Sequence, residues 1–164
     1  MNSQKIKRMV GIASLAAVVV VLQLIANYIP GPGGVSITLA LIPLVIGAIL
    51  YGPSGGAILG VIMGGIILTA PSTASFLNVR PFITVVLCLV KTGVAGFVGG
   101  VIFKLLKKHN LVVAVVVSSV IVPILNTGIF SIGCMLFYME TLTEWAGGSN
   151  AITFLFLTMI GINF

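Results

Sequence analysis

Residues 35–70 read VSITLALIPLVIGAILYGPSGGAILGVIMGGIILTA, and this stretch decides the fold class. It holds two long apolar runs and no charged residue. Between the runs lies Gly52-Pro53-Ser54-Gly55-Gly56, where proline lacks a backbone donor and glycine is flexible, so a tight turn is expected. Gly56, Gly60 and Gly64 then recur every fourth residue, and small residues at that spacing let helices approach closely in lipid. The stretch therefore predicts two membrane spans joined by a tight turn.

The composition of the whole chain extends this prediction to all 164 residues. Hydrophobic residues make up 59%, charged residues only 6%, and the mean hydropathy is +1.31. A soluble domain is usually about 25% charged, and a disordered chain needs low hydrophobicity and high charge. Both classes are excluded, and we predict an all-α integral membrane protein with a single transmembrane domain over residues 1–164.

Six apolar runs predict a six-helix bundle, with spans at approximately 9–29, 35–51, 57–70, 82–103, 111–139 and 151–164. The first run is too long for a secretory signal. Pro43 makes the second run a candidate for a kink or a partly re-entrant segment, and Pro123 predicts a kink or local unwinding in the middle of the fifth. The last run reaches only about 21 Å, short of a hydrocarbon core of about 30 Å, so we expect a truncated final helix.

The basic residues lie in alternate loops, which sets the predicted orientation. With the N-terminus in the cytoplasm, the loops inside hold six basic residues and the loops outside hold only Arg80; the six are Lys5, Lys7, Arg8, Lys104, Lys107 and Lys108. This bias follows the positive-inside rule. The net charge of +6 therefore has a topological explanation, and no nucleic-acid partner is expected.

Lys91 is the most informative candidate for a binding residue. It lies nine residues into its span, about 14 Å deep, and no acidic residue lies inside any span to pair with it. An ionisable residue inside the membrane is a functional hypothesis by default. The alternative is a lysine whose ammonium group snorkels to the interface, or one that is neutral and hydrogen-bonded.

Other polar residues are candidates for the same cavity. Asn126 and Asn163 lie about 20 Å and 18 Å from the outer ends of their spans, and an amide suits the orientation of a polar solute. Interhelical hydrogen bonding explains them equally well. Gln23 and Asn27 are candidates for the mouth of the cavity. Arg80 is a candidate for holding a carboxylate or phosphate, with an interfacial anchor as its ordinary role.

Enzymatic chemistry has no support in the sequence. There are no paired carboxylates inside a span, no Ser/His/Asp set, and neither an HExxH nor a GxSxG motif. Two cysteines and one histidine, without a CxxC motif, give no basis for a metal site. No Walker A sequence occurs, so we expect no cofactor in this chain, and any use of ATP must belong to partner subunits.

Several segments together resemble the substrate-binding S components of energy-coupling factor (ECF) vitamin transporters. They are the basic N-terminus with the AxxxA pattern of Ala13 and Ala17, Leu39-Ala40-Leu41-Ile42-Pro43, residues 51–57, residues 123–130, and Ile160-Gly161-Ile162-Asn163-Phe164. The resemblance implies a six-helix membrane subunit in the prokaryotic plasma membrane, with its ligand site near the outer face. It also implies docking through Ala13 and Ala17 onto a transmembrane scaffold subunit, and two ATPase subunits that drive the cycle.

The resemblance is nearest to the pantothenate type. The residues themselves favour a small anionic vitamin, because Lys91 and Arg80 suit a carboxylate and the scarcity of acids argues against a cation such as thiamine. Folate, nicotinate and a flavin stay open. The hypothesis from another class is a small helical channel, or a structural membrane protein, without an ATPase partner.

Overall fold

The computed structural model describes residues 3–28, 39–147, 150, 152, 153 and 155. Within these residues the chain is helical and contains no strand. The helices are α1 (Ser3–Tyr28), α2 (Leu41–Ile67), α3 (Pro71–Val79), α4 (Pro81–Leu106), α5 (Leu111–Phe137) and α6 (Met139–Trp145). By length and composition alone, four of the described helices, α1, α2, α4 and α5, are long and apolar enough to cross a membrane, although α2 is divided at Gly52 into two shorter arms. The prediction of an all-α membrane protein is confirmed.

Helix α2 folds back on itself at Gly52. Its φ of 74° and ψ of −167° are non-helical, and Pro53 follows directly. Gly47 meets the side chain of Leu59, although a straight helix would separate these positions by about 18 Å. The arms 41–51 and 53–67 therefore pack side by side in opposite directions. The predicted turn at Gly52–Gly56 is real but narrower, because the second arm already begins at residue 53.

Glycines hold the second arm of α2 against α4. Gly56 faces Gly96, Gly60 faces Thr92, and Gly64 faces the carbonyl group of Cys88. A Cβ atom added at Gly60 would lie 2.7 Å from the carbonyl carbon of Thr92, so the two backbones touch without side chains between them. The glycine stripe predicted from the sequence is the interface between these two helices.

The remaining long helices pack on the outer sides of this α2–α4 pair. Helix α5 lies against α4, where Gly133 meets Leu87 and Gly99 meets Val122. It begins at Asn110, whose side chain accepts hydrogen bonds from the backbone N–H groups of residues 112 and 113 at 2.9 and 3.3 Å.

Helix α1 is attached to both ends of the second arm of α2. At one end, Nη2 of Arg8 donates to the backbone oxygen of Tyr51 at 2.8 Å and to Oγ of Ser54 at 2.6 Å. At the other end, Nδ2 of Asn27 reaches the backbone oxygen of Ile66 at 3.4 Å. The chain therefore alternates direction through the bundle, and the basic residues at the start of α1 and the end of α4 come to the same end. This matches the predicted alternation of loops, while the cytoplasmic side stays a prediction.

The connections differ from the sequence-based expectation. Residues 71–81 were expected to form a polar connection, but α3 occupies most of it, because proline at the first helical position is well suited to start a helix. Helix α6 likewise replaces much of the expected loop 140–150. Helix α5 continues through Pro123 without a break, so local unwinding is not observed there, whereas a kink at Pro123 stays a prediction. A membrane helix tolerates the single lost hydrogen bond.

The last predicted span, 151–164, falls mostly outside the described residues. Only residues 152, 153 and 155 of it are described, and these are helical.

The glycine interface predicts a position-dependent effect of a single methyl group. Gly60→Ala should lower the stability of the protein in detergent by about 1–3 kcal/mol, because the new methyl group overlaps the backbone of α4. Gly65→Ala is the matched control, because a Cβ atom there meets open space. Thermal unfolding of the two variants compares them directly. Equal stability of the two variants would contradict the close backbone contact.

Candidate functional site

Lys91 lies inside the bundle, between α4 and α5. Its side chain is only 9% exposed, and its Nζ atom stands 4.0 Å from the centre of the Phe130 ring. The face of an aromatic ring is negative, so it attracts an ammonium group. The lysine therefore turns toward α5 rather than toward the surface, and the snorkelling alternative does not describe its geometry.

Lys91 has no carboxylate beside it in the described part of the chain. The two acids, Glu140 and Glu144, are both exposed on α6 beyond the end of α5. A buried charge without a counter-ion is expensive, and a ring face compensates for only part of that expense. This imbalance is what a site prepared for a polar ligand would show.

Asn126 and Thr127 add unpaired polar atoms one turn along α5. Asn126 is 3% exposed and lies four residues before Phe130, so both residues share one face of the helix. Its Oδ1 atom and the Oγ1 atom of Thr127 have no hydrogen-bond partner among the described residues. Buried polar atoms are usually paired, so these acceptors are suited to a donor from outside the described residues, such as a ligand.

An aromatic cluster lies next to Lys91 toward α6. Phe76 makes edge-to-face contacts with Phe130 at 5.7 Å and with Tyr138 at 5.3 Å between ring centres. The hydroxyl of Tyr138 donates to the backbone oxygen of Arg80 at 3.0 Å and lies 2.6 Å from Oγ1 of Thr84. This aromatic cluster, Phe76, Phe130 and Tyr138, joins α3, α4 and α5 at the end of the bundle opposite to the basic residues.

Gln23 and Asn27, predicted to line the mouth, form a link between α1 and α2. Nε2 of Gln23 donates to Oδ1 of Asn27 at 2.8 Å, and Nδ2 of Asn27 donates to Oγ1 of Thr69 at 3.2 Å. Both amides are buried. Within the described residues, Oε1 of Gln23 has no hydrogen-bond partner. The link has a structural purpose, and a role in ligand binding stays a prediction.

The remaining predicted residues are Arg80, Asn163 and the docking pair Ala13 and Ala17. The side chain of Arg80 is exposed where α3 meets α4, which agrees with an interfacial position. Asn163 lies outside the described residues. Ala13 and Ala17 are exposed on α1 and point away from the buried contact of Val19, as a docking face requires. Among the described residues there is no group of three or more potential metal ligands of the His, Cys, Asp and Glu types.

Sequence reasoning missed Phe130, Thr127 and Phe76. The first two carried a usable signal, because Phe130 lies one helical turn after Asn126 and Thr127 lies beside it. The contact of Phe130 with Lys91 depends on the register between α4 and α5, which no local pattern specifies.

Residues 9–147 match the family described as Thiamine transporter protein (Thia_YuaJ). The chain belongs to this family. No curated protein and no solved structure matches the chain.

Membership in the thiamine transporter family decides the functional class. The chain is an S component of an ECF transporter for a vitamin, and it is a multi-pass protein of the cell membrane. It is a transport subunit and not an enzyme. The pantothenate type has no support, because the matched family is a thiamine family, and the channel or structural alternative is not favoured.

The contact of Lys91 with Phe130 predicts a measurable coupling. Phe130→Leu should destabilise the wild-type protein by about 1–2 kcal/mol more than it destabilises a Lys91→Met background, because only the former leaves a buried ammonium without its ring. Lys91→Met alone should be neutral or stabilising. Chemical unfolding of the four proteins in detergent gives the coupling energy. Strictly additive effects would show that the contact contributes nothing.

Proposed function

We propose that this S component captures thiamine at the end of the bundle where the aromatic cluster lies and presents it to ATP-driven partner subunits. The observation that carries the proposal is the family match over residues 9–147. The chemistry of the site supports it independently, because thiamine combines an aminopyrimidine ring with a positively charged thiazolium ring.

Phe76 and Phe130 of the aromatic cluster are partly exposed and are the rings within reach of a ligand, whereas Tyr138 is buried behind them. Aromatic side chains pack against other rings edge-to-face or with an offset, and they attract cations over their faces. The face of Phe130 already receives the ammonium group of Lys91 at 4.0 Å. The thiazolium ring is therefore expected at the remaining exposed surfaces of Phe76 and Phe130 rather than at the face that Lys91 occupies.

The two glutamates supply the complementary charge. Glu140 and Glu144 lie four residues apart on α6 and are exposed, and Leu142 between them packs into the aromatic cluster. The expectation that the ligand is not a cation rested on the small number of acidic residues in the whole chain. Both glutamates lie at the end of the bundle that carries the aromatic cluster. Because each is two residues from Leu142, their side chains point away from the cluster, so they add negative charge at this end without contacting the site.

The polar groups deeper in the bundle suit the aminopyrimidine ring. A ring nitrogen is an acceptor for the ammonium group of Lys91, and the exocyclic amino group is a donor for the unpaired Oδ1 atom of Asn126. This orientation places the thiazolium ring away from Lys91 and toward α6. Charge repulsion between the lysine and the ligand is then reduced by distance.

The partners follow from the same assignment. We propose that a transmembrane scaffold subunit docks on the exposed face of α1 at Ala13 and Ala17, where small side chains permit close helix packing. ATP is used by the two ATPase subunits of the complex, since this chain carries no Walker A sequence.

A binding titration on the purified full-length protein tests the ligand. Thiamine should bind and pantothenate should not, and Asn126→Leu should weaken thiamine binding at least about tenfold because the amino group loses its acceptor. Asn78→Leu, an identical change at an exposed position on α3, is the matched control and should bind as the wild type does.

Binding of pantothenate but not of thiamine would contradict thiamine as the ligand. It would favour an anionic vitamin that contacts Lys91. Binding of neither compound would contradict capture itself.

A further inference from the structure

A cavity of about 780 Å³ opens at the basic end of the bundle, opposite to the aromatic cluster. It lies between the start of α1, the turn of α2 at Gly52 and the last turn of α4. The fold brings four cations to its wall from segments almost a hundred residues apart, namely Lys7, Arg8, Lys104 and Lys107. The positive-inside rule accounts for these four residues through the orientation of the chain in the membrane. That rule does not require them to surround one cavity.

The positive charge of this cavity is not neutralised by the described part of the chain. Both acids lie on α6 at the other end. Arg8 is held in place by its hydrogen bonds to Tyr51 and Ser54, so it gives the wall a fixed cation. The three lysines are exposed and can turn toward a ligand. A phosphate group is the anion that suits a fixed guanidinium surrounded by mobile ammonium groups.

Exposed apolar side chains at the same end of the bundle indicate which kind of molecule carries that phosphate. Leu50 lines the cavity and is 64% exposed, and Leu105, beside Lys104, is also 64% exposed. A free phosphate ion makes no favourable contact with exposed leucine side chains, whereas a phospholipid places acyl chains directly beside its phosphate. Basic pockets at the ends of transmembrane helices bind anionic headgroups in this way.

We propose that this cavity is a binding site for the phosphate headgroup of an anionic phospholipid, with Arg8, Lys7 and Lys107 as its cationic ligands. The bound headgroup would tie α1 to the turn of α2 and the end of α4, so it would stabilise the end of the bundle that carries no candidate vitamin residue.

Two double variants with the same loss of charge test the proposal on the full-length protein. Lys7→Gln with Lys107→Gln removes two cations from the cavity wall, and Lys5→Gln with Lys108→Gln removes two exposed cations of the same segments that do not line it. Native mass spectrometry measures phosphatidylglycerol retained by each protein, and thermal unfolding measures its stabilising effect. Phosphatidylcholine and inorganic phosphate serve as comparison ligands.

We expect the first variant to lose about tenfold or more in apparent affinity for phosphatidylglycerol, since each basic residue near a headgroup contributes substantially. The second variant should lose much less, and phosphatidylcholine and inorganic phosphate should stabilise neither. Equal losses in the two variants would overturn the proposal, because they would show a general surface effect. Stabilisation by inorganic phosphate without a response to phosphatidylglycerol would also overturn it.

Discussion

The backbone contact between α2 and α4 is the constraint on which the rest of the bundle depends. Lipid gives apolar helices no hydrophobic reason to associate, so close van der Waals contact has to provide the attraction. Gly56, Gly60 and Gly64 permit this contact on one side, and Gly100 lies against Pro53 where α2 reverses. The contact fixes the rotation of α4, so that the face carrying Leu87 and Lys91 turns toward α5.

The two ends of the bundle differ in chemistry as a result of this rotation of α4. One end holds Lys91 and the unpaired amide oxygen of Asn126 near the aromatic cluster, with both glutamates beyond it on α6. The other end gathers four cations around a cavity. Helix α1 is bonded to α2 on one face and leaves Ala13 and Ala17 exposed on the other. The proposed sites for the vitamin, the lipid and the protein partner thus lie on separate surfaces.

Much of the architecture could be predicted from the sequence because it rests on local patterns. Apolar runs, the glycine stripe and the turn at Gly52 are local features, and the depth of Lys91 follows from counting residues. Helices α3 and α6 were missed because polar residues beside prolines and glycines resemble a loop. The Lys91–Phe130 contact depends on helix register. The preference for an anionic ligand counted the acids without their position, and both Glu140 and Glu144 lie on α6 at the end of the bundle that carries the aromatic cluster.

The central claim is that capture of the vitamin and coupling to ATP use different faces of this chain. The most direct measurement is co-purification with the scaffold and ATPase subunits, with thiamine binding measured on the same preparations, for the wild type and for Ala13→Trp with Ala17→Trp. We expect the variant to bind thiamine and to fail to assemble, because bulky side chains block close packing on α1. A variant that still assembles with the scaffold would contradict docking through this face of α1.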